Sequence, residues 1–189
     1  MENKLVCVVG MTGSGKSVVS DYLVGKGFGF VRFGQITIDY IQNNKLELCE
    51  RVEKEVRESF RKEYGMAAYA KLNIPKIDEL LKEGNVVGDG LYSWSEYKVL
   101  KNKYKDSLVV LAVFAPPDLR YSRLDNRKEI DDKMRNRPTT FKESKSRDYA
   151  EIENIEKGGP IAMADYTIIN TSTLDNLLNQ VELFLKEMT

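Results

Sequence analysis

Residues 4–17, KLVCVVGMTGSGKS, pass from an unbroken apolar run into a loop holding three glycines, a lysine and two serines. Leu5 to Val9 show no polar alternation, so they read as a strand buried on both faces. The backbone that follows needs the freedom only glycine has, and from Lys16 onward the pattern turns helical. Gly10, Gly15, Lys16 and Ser17 meet the spacing G-x-x-x-x-G-K-S. Such a loop runs into a helix N-terminus, where free N–H groups and the positive dipole end attract anions. The spacing predicts that the backbone of Gly10, Thr12, Gly13, Ser14, Gly15, Lys16, Ser17 and Val18 wraps a polyphosphate. Lys16 then reaches the β- and γ-phosphates of ATP and the Ser17 hydroxyl ligates Mg²⁺. An accidental glycine-rich turn is the competing reading, and the strand before and helix after argue against it.

A loop of this kind works only on a rigid sheet, and the chain supplies one. Four further apolar runs, 29–33, 85–89, 107–115 and 165–170, are rich in β-branched residues and read as buried strands. Helical patterns separate them. Residues 47–64 repeat Leu48, Val52, Val56, Phe60 and Tyr64 every four positions, with Glu50–Lys54 and Glu53–Arg57 pairs outside. Residues 174–185 gather Leu174, Leu177, Leu178, Val181, Phe184 and Leu185 on one face, with Ser172 or Thr173 as N-cap. Strands alternating with helices predict an α/β, doubly wound parallel sheet. A length of 189 residues without linker or repeat predicts one domain, 1–189.

Composition narrows the class. Lys plus Arg and Asp plus Glu number 29 each, so overall charge selects no partner. No apolar run is long enough for a membrane span, and the N-terminus lacks the marks of a signal peptide. Cys7 and Cys49 then read as reduced thiols of a cytoplasmic protein. Histidine is absent, so proton transfer falls to carboxylates, lysine, tyrosine or water.

The stretch NVVGDG places Asp89 at the end of the third strand, where it either holds a magnesium-bound water or takes a proton from an acceptor hydroxyl. A plain Asp-Gly turn is the alternative. Between Arg120 and Arg147 ten basic residues face five acids. Arg120, Arg123 and Arg127 are spaced three and four apart, on one face of a helix. Arginine forks suit the charge of a moving phosphoryl group, which favours a phosphate-facing lid. The competing readings are a solvated basic surface and RNA binding; sparse aromatics and a neutral chain argue against a nucleic-acid partner. The guanine-reading N-K-x-D is not met by NKLE (44–47) or NKYK (102–105).

The order of strand, GMTGSGKS, helix, NVVGDG, RYSRLDNR, arginine-rich stretch and ADYTIINTSTLDNLLNQV resembles the P-loop nucleoside monophosphate kinases. The closing stretch is similar to the A-D-Y-x-I-x-N segment of dephospho-coenzyme A kinases, and YGMAAYAKLNIPKI (64–77) to a set of adenylate-kinase-related proteins. The resemblance implies a P-loop NTPase three-layer sandwich with a five-stranded parallel sheet ordered 2-3-1-4-5. It also implies an acceptor-binding subdomain at 34–80 and a mobile lid at 120–150. Arg123 and Arg127 map onto lid arginines that contact ATP, and Asn170 to Thr173 border the adenine. Two departures stand out. Adenylate kinases read T-G-D-x-x-R after the second strand, where this chain has FGQITI with Gln35 and Ile38. They read D-G-[FY]-P-R after the third strand, where this chain has DGLYSW. Asp39, displaced from the acid of dephospho-coenzyme A kinases, competes with Asp89 as acceptor base. AMP is therefore expected to be a poor acceptor.

Two functions follow as expectations. One is a Mg·ATP-dependent kinase for a nucleotide or cofactor precursor, a small-molecule acceptor, with Lys16, Asp89, Arg123, Arg127 and Arg137 around the transferring phosphate. The other is a nucleotide-binding regulatory or interaction protein, prompted by the missing acceptor arginines, with Tyr92, Trp94 and Tyr97 as a contact surface. Groove packing is the plainer reading of those three rings.

Overall fold

Near-continuous apolar strands can be buried only between two layers of helix, and that is the arrangement found. The computed structural model describes residues 2–126 and 140–188. Five strands, β1 (Leu5–Val9), β2 (Gly29–Arg32), β3 (Val86–Asp89), β4 (Leu108–Phe114) and β5 (Tyr166–Ile169), form one sheet in the order β2-β3-β1-β4-β5. Every pairing is parallel. This is the order and the direction expected, and each observed strand lies within the run that announced it.

The helices are α1 (Lys16–Gly25), α2 (Gln35–Asn43), α3 (Glu50–Tyr64), α4 (Ala68–Leu80), α5 (Trp94–Tyr104), α6 (Pro117–Asp125), α7 (Phe141–Ile155), α8 (Gly158–Ala162) and α9 (Leu174–Met188). Side chains of a strand alternate between faces. Accordingly Leu5, Cys7 and Val9 of β1 join Val110 and Ala112 of β4 in a core with α4 and α5. Val6 and Val8 join Val109, Leu111 and Val113 in a second core closed by Val19 and Leu23 of α1 and Leu177, Val181 and Phe184 of α9. The sheet is thus the middle of three layers.

Two local details differ from the sequence expectation. Helix α3 starts at Glu50, not 47, and Leu48 stays exposed, because Cys49 is extended and sits at its N-cap. The apolar repeat continued through a segment that lacks helical backbone. At α9 the Thr173 hydroxyl accepts the Asn176 N–H at 3.3 Å, so Thr173 rather than Ser172 is the cap.

The ADYTIIN stretch works as two anchors around β5. Asp165 accepts the Val110 N–H of β4 at 2.7 Å, while the Asn170 side chain donates to the Ser14 carbonyl at 2.8 Å. Along the outer edge of β5, the Gln180 amide accepts the Ile169 N–H at 3.0 Å and donates to the Ile169 carbonyl at 2.9 Å. Two of the three rings singled out in the sequence pack inward, while Tyr92 stays exposed. Trp94 stacks on buried Tyr97 with centroids 5.0 Å apart, which agrees with groove packing rather than a contact surface.

Candidate functional site

The glycine loop lies between the end of β1 and the start of α1, at the carboxyl edge of the sheet. Gly10 has φ +144° and Gly15 φ +103°. A Cβ on Gly10 would run into the Val113 carbonyl, and one on Gly15 into the Asn170 amide. Both glycines are therefore demanded twice, by backbone conformation and by neighbours. Asn170 holds the loop from the far side through the Ser14 carbonyl, and its carbonyl oxygen accepts Arg123 Nη2 at 3.4 Å.

A cavity of about 460 Å³ opens over this loop. Thr12, Gly13, Gly15, Lys16, Ser17 and Val18 line it from the loop and α1. Asp89, Arg123 and Asn170 line it from β3, α6 and the end of β5. Nine expected site residues therefore meet at one place. Gly10 and buried Ser14 shape the loop from behind. Arg127 and Arg137 lie outside the described residues.

The electrostatics are those of an anion site. Lys16 donates from Nζ to the Met11 carbonyl at 3.0 Å. Burial and the Lys157 ammonium pull its pKa down to about 7, against the opposing pull of Asp89 and Glu151. Arg123 keeps Nη1 buried with no partner among the described residues, a donor aimed at something negative. Ser17 and Asp89 add a hydroxyl and a carboxylate to the same cavity, an all-oxygen donor set that suits Mg²⁺ completed by phosphate and water oxygens.

Arg120 corrects the sequence reading. It does not face the phosphates beside Arg123 but is 4% exposed and ion-paired to Asp148 of α7 at 2.5 Å. Its Nε donates to the Ala115 carbonyl at 3.0 Å and its Nη1 to the Thr12 carbonyl at 2.9 Å. It is a strut that holds the glycine loop against α6 and α7.

A second cavity, about 670 Å³, lies beside the first and shares Arg32, Asp89, Tyr92 and Arg147 with it. Gly34, Thr37 and Ile38 of the second-strand turn line it, as do Arg57 and Arg61 of α3. Arg57, expected in a surface ion pair with Glu53, and Arg61 thus both face this cavity. Arg57 pairs with Glu53 at 3.3 Å on the cavity wall rather than outside. Arg61 lies 5.9 Å from the Tyr69 ring and has a buried Nε with no partner among the described residues. Arginines absent from the two adenylate-kinase positions reach the same space from α3, β2 and α7. Asp39 does not line either cavity; it is exposed and accepts from Gln35 at 2.9 Å.

Sequence reasoning missed a partly buried cluster around the buried Lys157. Glu151 of α7 accepts Arg147 Nε at 2.9 Å, pairs with Lys157, and receives the Thr12 hydroxyl at 3.4 Å. Burial opposes its charge, yet Lys157 and Arg147 outweigh that and hold the carboxyl below its ordinary range. The only trace in the sequence is Arg147 four residues before Glu151, a spacing that also marks ordinary surface pairs.

A parallel sheet in this order, entered by a lysine-bearing glycine loop, is the P-loop kinase fold. Solved structures share it: TT1252 from Thermus thermophilus at TM-score 0.64 and 19% identity over 100% of both chains, and a shikimate kinase from Bacteroides thetaiotaomicron at TM-score 0.60 and 14% identity over 98% of both. The chain belongs to the UPF0200 family, being 33% identical over 186 residues to a UPF0200 protein of Thermococcus kodakarensis, 97% of each. A UPF0200 protein of Sulfurisphaera tokodaii is 33% identical over 187 residues, 98% of this chain and 97% of the other. A family profile described as an AAA domain matches residues 6–155, so the chain belongs to that broader group as well. Among the described residues no helix is long and apolar enough to cross a membrane.

Proposed function

We propose that the chain is a Mg·ATP-dependent phosphotransferase acting on a small molecule that carries an anionic group. The observation that carries this reading is the meeting of the two cavities at Asp89. In it the glycine loop, Lys16 and Arg123 bind the nucleotide phosphates, and Arg57 and Arg61 bind the acceptor anion. Asp89 stands between them, within reach of both ligands, and takes the proton from the acceptor oxygen as ADP departs. Ser17 and Asp89 would hold magnesium, which would supply charge neutralisation of the phosphate oxygens. Asp89 rather than Asp39 is the base in this reading, because only Asp89 lines the cavities. The regulatory alternative was prompted by missing acceptor arginines, and Arg57 and Arg61 in the second cavity weigh against it.

The test is ADP formation from Mg·ATP over a panel containing AMP, other nucleoside monophosphates, dephospho-coenzyme A and small hydroxy acids. One anionic acceptor should raise turnover far above the chain alone, and Lys16→Ala should abolish the rise while the protein stays folded. Wild-type protein that binds ATP yet gives a flat panel refutes the kinase reading. Equal turnover in Lys16→Ala refutes the phosphate assignment.

A further inference from the structure

Lys157 has no place in the phosphotransferase reading, yet its burial demands one. Its side chain is 2% exposed, and burying an ammonium group is costly unless it is paired. The chain leaves α7 through Glu156 at φ +55°, and the Lys157 N–H returns to the Glu151 carbonyl at 3.2 Å. That reversal lays the lysine back over the last turn of α7. Its ammonium pairs with Glu151 and sits 4.7 Å from the centre of the Tyr92 ring. Tyr92 in turn lines both cavities.

Glu151 gathers more than Lys157. One carboxylate accepts from Lys157, from Arg147 Nε at 2.9 Å and from the Thr12 hydroxyl at 3.4 Å. Thr12 belongs to the glycine loop, and its neighbour Met11 receives the Lys16 ammonium at 3.0 Å. Lys157 is close enough to be the largest charge opposing protonation of Lys16. Lys16, Arg147 and Lys157 thus gather around the carboxylates of Glu151 and Asp89, with Asp148 also acting on Lys157, beside a loop shaped for phosphate. A single carboxylate that takes an ammonium, a guanidinium and a loop hydroxyl is bonded as a phosphate oxygen pair would be.

We propose that Glu151 is a built-in stand-in for a nucleotide phosphate: it holds Lys157 and Arg147 beside the glycine loop, and a bound polyphosphate takes both cations over. Lys157 is then a second ammonium group of the phosphate site, supplied from beyond α7. The ligand named here rests on the phosphotransferase reading. The rival role for Glu151, a strut that fixes α7 to the loop, predicts the opposite sign when the charge is removed.

The experiment is calorimetric titration of ATP and of adenosine into wild-type, Glu151→Gln, Lys157→Met and the double variant. Removing a competing anion should tighten ATP binding about tenfold in Glu151→Gln. Lys157→Met should weaken it about tenfold and take away most of the Glu151→Gln gain in the double variant. Adenosine, which carries no phosphate, should bind all four alike. Weaker or unchanged ATP binding in Glu151→Gln overturns the proposal, as does unchanged binding in Lys157→Met. If a variant fails to fold, the exchange is read in wild-type protein labelled with ¹³C-lysine, the Lys157 signal being assigned with Lys157→Arg. That signal should shift on saturation with ATP, and an unmoved signal overturns the proposal. Wild-type protein that does not bind ATP overturns this inference and the proposed function together, whereas ATP binding without the Glu151→Gln gain overturns this inference alone.

Discussion

Replacing Arg120 by Met keeps the length of the side chain and deletes its guanidinium, which separates a strut from a phosphate contact. The structure fixes what is lost. Asp148, itself buried, is left with the Tyr121 hydroxyl at 2.9 Å, and its Oδ1 already has no partner among the described residues. The carbonyls of Ala115 and Thr12 lose donors that now stand at 3.0 and 2.9 Å. Breaking a buried ion pair from one side costs about 3–5 kcal/mol. For a chain of 189 residues that corresponds to a fall in Tm of about 6–20 °C. Urea and thermal unfolding measure it, with Asp148→Leu and the double variant completing a cycle. The double variant should recover at least about 2 kcal/mol relative to the sum of the singles, because neither charge is then left alone. A loss below about 1 kcal/mol, or an additive cycle, refutes the strut. Unchanged stability with weakened ATP binding would return Arg120 to the phosphate face.

Gly10→Ala should destabilise by about 2 kcal/mol or more, since the new methyl meets the Val113 carbonyl at φ +144°; a Tm within a degree of wild type refutes this. Arg61→Gln removes a charged donor from the acceptor cavity, worth about 1.5–3 kcal/mol, so acceptor KM should rise about tenfold to a hundredfold with ATP KM unchanged. Glu151 has a folded-state pKa below its ordinary 4.5, so its contribution is complete above that pH and is lost as the pH falls through the folded value. Glu151→Gln should therefore flatten the acid limb of the stability profile below about pH 4.5, and an identical limb in both proteins refutes the assignment.

How far the sequence is legible depends on the distance over which its signals act. The five strands are declared by local apolar runs, and the glycine loop by eight consecutive residues, so both can be read without tertiary knowledge. Asp89 is legible because β3 ends beside the loop, with Asp89 in register with Val8. Arg57 and Arg61 are less so, because Glu53 four residues before Arg57 and Glu58 three before Arg61 satisfy the pattern of a solvated helix face. What turns them inward is the packing of α3 on α2 and α4, which that pattern does not contain. Arg120 shares its spacing with Arg123, yet its partner is 28 residues away on another helix. Glu151 and Thr12 are 139 residues apart, and nothing near either predicts the other.

The Gln180 amide on Ile169 bears on solubility. β5 is one margin of the sheet, and an exposed margin offers unpaired N–H and C=O groups to any passing extended chain. A primary amide has the same donor and acceptor as a peptide group, so Gln180 acts there as a one-residue sixth strand that cannot propagate. Asn176 steadies it by accepting its second N–H at 2.8 Å. A strand from a second molecule would have to strip this amide away before pairing at Ile169, and a helix side chain thereby guards the sheet against growing outward from this margin.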